Sequence, residues 1–400
     1  MDGFKRWLKT GLVAVILVGL SLGLSAAWWD FGGDDNSRRE SRLAPGNAIT
    51  SGESLLQYAL PIDNDAVRKI QGALEDIGTQ LRSRRRWSAI KADLSEALTV
   101  LNLRKNKLLA SVPEENSDRA TSLLTQIKQG LSDFKDIAEA QDKAQAWIQR
   151  RELLDKVGKL EALMVDEFPF EIPEEYSDLP RLKGRARVKF ETERGDMEVI
   201  VDGYNAPLTA GNFVDLVERD FYDGLDITRA EKFYVVQTGD PPGPETGFVD
   251  PETGETRTIP MEIRIKGEEK PIYGTTLEQA GLYRAQPVLP FSAYGAMAMG
   301  HPDIDPNGGS SQFFFLRFDT ELTPPGFNVL DGRYTVFGYL VEGKDVLEDL
   351  EKGDMIESAE VISGADNLIR PSQSKSKQKT AKKTDSGDTA ATEDTAAESS

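Results

Sequence analysis

Residues 307–343 read NGGSSQFFFLRFDTELTPPGFNVLDGRYTVFGYLVEG, and this stretch decides the fold. Phe313 to Leu316 form a short apolar run behind Gly308, Gly309, Ser310 and Ser311, which is the pattern of a buried strand. Gln312 opens that strand, and a period of two turns Gln312 and Phe314 to the same side. An amide beside an aromatic ring makes a surface for a peptide with an apolar side chain. Further on, Asp331-Gly332 is a tight-turn pair feeding Tyr334, Val336 and Tyr339, the alternation of a second strand. Taken alone, these are two strands of an antiparallel sheet with core aromatics.

Upstream, residues 212–240 read NFVDLVERDFYDGLDITRAEKFYVVQTGD. Asn212 to Arg219 has helical spacing at Phe213, Leu216 and Val217, and Tyr222-Asp223-Gly224 is a turn. Ile227, Arg229, Phe233, Tyr234, Val235 and Gln237 follow in two short strand-like pieces. Together the two stretches resemble the cyclophilins. The matching pieces are NFVDLV, FYDGL, an arginine eight residues before the glutamine of QTGDP, GSSQFFF, and LDGRYTVFGYLVEG. The resemblance implies a closed antiparallel β-barrel, peptidyl-prolyl isomerase activity without a cofactor, and a groove for proline-containing polypeptide segments. By the same mapping Arg229 is the catalytic group, and Gln237 and Gln312 hold the substrate backbone. Phe314, Tyr234, Val235 and Leu330 wall the proline pocket, with Tyr334 and His301 beside them.

Several positions depart from the family pattern. Tyr234 and Val235 stand where phenylalanine and methionine are usual, and Tyr334 replaces a histidine. His301 falls near an expected asparagine, and Val329 occupies the place of the tryptophan used by cyclosporin-sensitive members. Weak cyclosporin binding and reduced turnover are the expectations. The competing reading of Arg229 is a surface ion pair with Glu231 or Asp226.

A formal net charge of −19 and a pI near 4.7 argue against a nucleic-acid partner, whose phosphates need a basic surface. Arg84-Arg85-Arg86 reads as a solvated helix face. The chain has no cysteine and a single histidine, which removes thiol chemistry and makes a zinc site improbable. Asp303, Asp305, Asn307 and Gly308 fit the opening of a calcium loop, but its twelfth position is Phe314, so a polar turn before a strand is the better reading. His301 has no accompanying nucleophile and reads as a pocket or loop residue.

In chain order, Lys5, Arg6 and Lys9 precede an apolar run from Gly11 to Leu24, followed by Ser25-Ala26-Ala27. That is the layout of a signal peptide over residues 1–27; an uncleaved anchor ending at Trp28-Trp29 is the alternative. Residues 28–52 form a linker. From 53 to 168 the period is helical, with four apolar stripes. These run Ile70–Leu81, Trp87–Leu101, Leu123–Ala138 and Trp147–Leu160. Breaks at Pro61 and at Pro113 to Asn116 predict a bundle of antiparallel neighbours. Residues 169–185 are a proline-rich connector, and 186–370 form the barrel, starting with a hairpin around Arg194-Gly195. Lys266 to Pro290 is an insertion with a short helix expected near Thr276 to Ala280. Residues 371–400 have a disordered composition.

The export signal, bundle and barrel together resemble the multidomain thylakoid-lumen cyclophilins of plants and cyanobacteria. VDGYNAPLTAGNFVDLVER, VVQTGDPPGP and GTTLEQAGLYRAQ carry that likeness. It implies an exported protein of the thylakoid lumen (or a periplasm) that assists photosystem II assembly. Photosystem II subunits would be its partners, and membrane contact would run only through residues 1–29 if these are uncleaved. Two functions follow: an active isomerase, or a weakly active or inactive chaperone or assembly-binding module regulated by the helical domain. Arg229 favours the first; Tyr234, Val235 and the insertion favour the second.

Overall fold

The computed structural model describes residues 49–82, 86–165, 168–251, 253–318 and 328–371. The expected leader, nearly all of the linker and the tail from 372 lie outside these residues, as do Arg84 and Arg85. Among the described residues no helix is long and apolar enough to cross a membrane.

Helix formation in the N-terminal half follows apolar spacing and side-chain caps. Helix α1 (Gly52–Tyr58) is capped by Ser51, whose Oγ accepts from the Ser54 N–H at 3.4 Å. Helix α2 (Asp65–Arg82) starts at Asn64, whose Oδ1 accepts from the Ala66 and Val67 N–H groups. Helix α3 (Trp87–Leu103) runs into the short α4 (Lys105–Ala110). Helix α5 (Ser117–Ala140) ends at Gln141 in the left-handed region, φ 57°, and Asp142 then caps α6 (Lys143–Ala162). Contacts run α2–α3, α3–α5, α5–α6 and α6–α2, closing a four-helix ring. Its core holds Ile70, Leu74, Ile90, Leu94, Ile127 and Val157 as the spacing predicts. The third and fourth stripes bury Ile127, Leu131, Phe134, Ala138, Val157 and Leu160 as expected; at one position in each the neighbouring leucine takes the core place, Leu124 for Leu123 and Leu153 for Leu154.

Helix α1 faces away from this ring. Its Leu55, Leu56 and Ala59 bury against Tyr339 and Phe291 of the C-terminal half. Gly52 is required there, because a Cβ would lie 2.7 Å from Tyr339 Cβ. The Leu56 carbonyl accepts from Arg185, and the Ala59 carbonyl from Asn205 Nδ2 at 3.0 Å. On the other side Gln57 Nε2 donates to the Leu154 carbonyl, and Gln57 Oε1 accepts from Gln71. The helix placed with the bundle by periodicity is thus shared by both halves. The connector beyond contains one 3₁₀ turn, Glu174–Tyr176.

The C-terminal half opens with β1 (Arg181–Leu182), β2 (Arg185–Thr192) and β3 (Gly195–Asp202), the last two forming the expected hairpin. Helix α7 (Pro207–Val217) begins on proline, which suits a first turn that needs no donor. Then come β4 (Arg229–Ala230), β5 (Val235–Thr238), β6 (Glu262–Ile263), β7 (Ile272–Tyr273), β8 (Ala296–Met299) and β9 (Phe313–Leu316). The chain closes with β10 (Val336–Glu342), α8 (Lys344–Asp349), β11 (Ile356–Ser363) and β12 (Leu368–Ile369). Among the described residues the main sheet has the antiparallel order β11-β2-β3-β10-β8-β9-β5-β4.

This curled sheet corrects the expectation of a closed barrel. Its end strands β4 and β11 form no ladder with each other. The gap is spanned by backbone hydrogen bonds between residues 224–227 and 353–356, around one isolated bridge, Asp226 to Met355. Inside the curl, Val188, Phe190, Val199, Val236, Met297, Phe313, Phe315 and Phe337 enclose Phe213 of α7. On the outer face Val235, Ala298, Phe314, Leu316, Val336 and Tyr339 form a second cluster with α1. In the insertion, no helix forms over 276–280. One turn, bonded from Ala280 N–H to the Thr276 carbonyl, ends at Gly281 with φ 74°, where the chain reverses.

Candidate functional site

The outer face of β4, β5, β9 and β8 sets the geometry of the site. Arg229 pairs in register with Gln237, Gln237 with Phe314, and Phe314 with Ala298. Residues on one rung of an antiparallel sheet project to one side. The rung therefore brings a guanidinium, an amide and an aromatic ring together, as the alternation Phe313 in, Phe314 out requires. Val235, two residues before Gln237, stands on the same face.

These groups line a cavity of about 400 Å³. All nine residues singled out in the sequence border it: Arg229, Tyr234, Val235, Gln237, His301, Gln312, Phe314, Leu330 and Tyr334. Sequence reading missed Thr246, Gly300, Pro302, Asp303, Gly308 and Ser310, which complete the lining. Ser310 is legible afterwards as part of the glycine-serine turn. Its Oγ accepts from the Phe248 N–H and donates to the Arg257 carbonyl, so it holds the loop carrying Thr246. No described residue of the helical half borders the cavity.

Both readings of Arg229 are present at once. Its Nε donates to Glu231 Oε1 at 2.7 Å, and its guanidinium carbon lies 5.4 Å from the Tyr234 ring centroid. The hydrogen bond to Glu231 raises the Arg229 pKa further, so the charge is fixed. The two terminal amino groups have no protein partner among the described residues. Gln237 Nε2 donates to Gln312 Oε1 at 2.9 Å, while Gln312 Nε2 donates to Asp240 Oδ1 and to the Thr246 carbonyl, each at 2.9 Å. Asp240 thereby orients the pair. Gln237 Oε1 and one Gln237 N–H are left for a ligand.

The aromatic wall is built in layers. Phe314 stacks on Phe291 at 6.0 Å and meets Tyr334 edge-on at 5.2 Å; Tyr334 in turn packs 4.7 Å from His301. Both ring nitrogens of His301 lie 2.9 Å from backbone carbonyls, those of Pro302 and Arg333, and whichever nitrogen carries the proton donates to its carbonyl. Leu330 is placed by Asp331, whose carboxylate accepts from the Phe291 N–H at 2.8 Å and the Asn328 N–H at 3.3 Å. Burial pushes that carboxyl up to about 6. In the polar turn nearby, Asp305 Oδ1 accepts from the Asn307 N–H.

Comparison with known proteins gives two family matches. A model described as cyclophilin type peptidyl-prolyl cis-trans isomerase/CLD matches residues 187–369. Another, described as the PsbQ-like domain of CYP38-like peptidyl-prolyl cis-trans isomerase, matches residues 51–165. A putative thylakoid lumen peptidyl-prolyl cis-trans isomerase of Synechocystis sp. is 53% identical over 365 residues, covering 91% of this chain and 96% of that protein. The chloroplastic peptidyl-prolyl cis-trans isomerase CYP38 of Arabidopsis thaliana is 46% identical over 83% of this chain and 78% of its own. CYP37 of the same plant is 33% identical, covering 81% and 72% respectively.

Proposed function

The chain belongs to the cyclophilin-type peptidyl-prolyl cis-trans isomerases, and on that premise we propose that prolyl bonds of exported polypeptides turn in the cavity beside Arg229. The observation that carries this reading is the single rung Arg229–Gln237–Phe314 facing that cavity. Rotation about a peptide C–N bond faces a barrier of roughly 18–20 kcal/mol, because the bond has double-bond character. At the half-turned state conjugation is lost and the nitrogen becomes a better acceptor. A guanidinium donating there favours that state over both planar forms and needs no proton transfer. Phe314, Val235 and Leu330 receive the proline ring, and the free valences of Gln237 hold the neighbouring peptide group.

The lumenal setting is supported by the names of the relatives. Photosystem II subunits as clients are supported by the PsbQ-like description of the bundle and by the whole-chain resemblance. The reading is tested by a protease-coupled assay on an Ala-Pro peptide. Arg229→Ala should lower kcat/KM by about 100- to 1,000-fold, the usual loss of one preorganised donor. An undiminished rate removes the assignment. A second reading, a binding module of low turnover, rests on the Glu231 and Tyr234 contacts that already engage Arg229. Peptide binding without turnover by the unmodified chain would establish it.

A further inference from the structure

The insertion at 266–290 builds a cavity of its own. Met261, Ile263, Ile265 and Leu277 form a small separate core on the β6–β7 hairpin, with Leu282 and Ala285 packed at its edge. On this base lies a recess of about 220 Å³, bordered by Leu277, Leu282, Tyr283 and Ala285 on one side and by Val329 and Gly332 on the other. That is smaller than the roughly 300–1,000 Å³ of small-molecule pockets and suits a single large side chain.

The recess adjoins the proline cavity through one strip of chain. Val329 borders the recess and Leu330 the proline cavity; Arg333 borders the recess and Tyr334 the proline cavity. The wall is therefore a loop one chain thick. It is held from the insertion side by the Leu277 N–H on the Gly332 carbonyl at 2.9 Å and by the Arg333–Glu278 ion pair at 3.1 Å. Gly332, at φ 78°, permits the approach, since a Cβ there would lie 2.8 Å from Leu277 Cδ1. At the mouth Tyr283 and Val329 are 68% and 71% exposed, high values for two apolar residues that face each other across a recess.

We propose that this recess is a second subsite for the same client peptide, taking a large apolar side chain a few residues from the proline. The inference rests on the proline reading of the Arg229 cavity and extends it. A one-chain wall is roughly 10 Å thick with its side chains, and an extended peptide crosses that in about three residues at its rise per residue. The insertion then selects clients that pair a proline with a nearby aromatic or leucine.

The test uses the full chain and fluorescent Ala-Pro peptides. Phenylalanine or alanine is placed two, three or four residues from the proline, on either side. One Phe position should bind about tenfold tighter than its Ala counterpart, the order of discrimination an apolar pocket supplies. In Tyr283→Ser that ratio should fall toward one, whereas Leu103→Ser, an exposed apolar residue of α3, should keep it. Equal binding of all Phe and Ala peptides, with prolyl turnover intact, overturns the subsite and leaves the proline reading standing. A Phe preference that persists after the proline is changed to alanine and in Arg229→Ala, with no turnover in any protein, overturns the proline reading and this extension with it.

Discussion

Replacing Glu262 by glutamine should flatten the pH dependence of stability between about pH 4.5 and 8. Glu262 sits in β6, fully buried, with Oε1 accepting from the Thr209 N–H at 2.6 Å. Its Oε2, the Thr209 hydroxyl and the Tyr273 hydroxyl are buried without hydrogen-bond partners among the described residues. Burial raises the carboxyl from an ordinary 4.5 to about 8, against the lowering effect of the hydrogen bond from the Thr209 N–H. The folded state thus keeps a proton that the unfolded state releases near pH 4.5. In that window the native form binds more protons, so stability is full below pH 4.5 and falls as pH rises to 8. At about 1.4 kcal/mol per pH unit, the loss is on the order of 5 kcal/mol. Glutamine keeps the carbonyl acceptor for Thr209 and adds an amide donor for the unpartnered hydroxyls, with no charge to bury. Urea unfolding and calorimetry at pH 5, 6, 7 and 8 give the difference, variant minus unmodified chain. Asp331, also raised by burial, contributes equally to both and cancels. The difference should grow with pH toward that magnitude; a difference constant across the series would refute the argument.

Two further outcomes follow from the packing. Leu56→Ala removes a 2% exposed side chain from the joint between α1 and the sheet, and should cost about 2–5 kcal/mol, read as a lower calorimetric Tm. An unchanged Tm would mean that α1 does not hold the sheet in solution. Cyclosporin should bind weakly, because Val329 is a small, exposed side chain where sensitive relatives present a ring. A nanomolar dissociation constant by calorimetry would contradict this.

Much of the site was legible because period-two alternation is a local property. Once Phe313 to Leu316 is a strand, Gln312 and Phe314 must share a face, and the Arg229–Gln237 spacing closes a short hairpin. Other features depended on tertiary partners. Leu124 rather than Leu123 fills the core because two adjacent leucines both fit the edge of the stripe, and only the packed neighbour decides which of them is covered. Thr246 reaches the cavity through a loop fixed by Ser310, with no periodic signal of its own. The gap between β4 and β11 is bridged by irregular backbone hydrogen bonds between residues 224–227 and 353–356, which carry no alternation to read. The double attachment of α1 was hidden because a seven-residue helix with two buried leucines does not say which surface will cover them.

Strand β9 faces two ways with no spare residue. Deleting Phe315 while Leu316 keeps its place would send Phe313 to the cavity and Phe314 into the enclosed core, exchanging recognition and support in a single step. Change within that strand is thereby confined to replacement at fixed length. Variation in what the protein grips is left to the loops around it, where additions such as residues 266–290 leave the strand's register untouched.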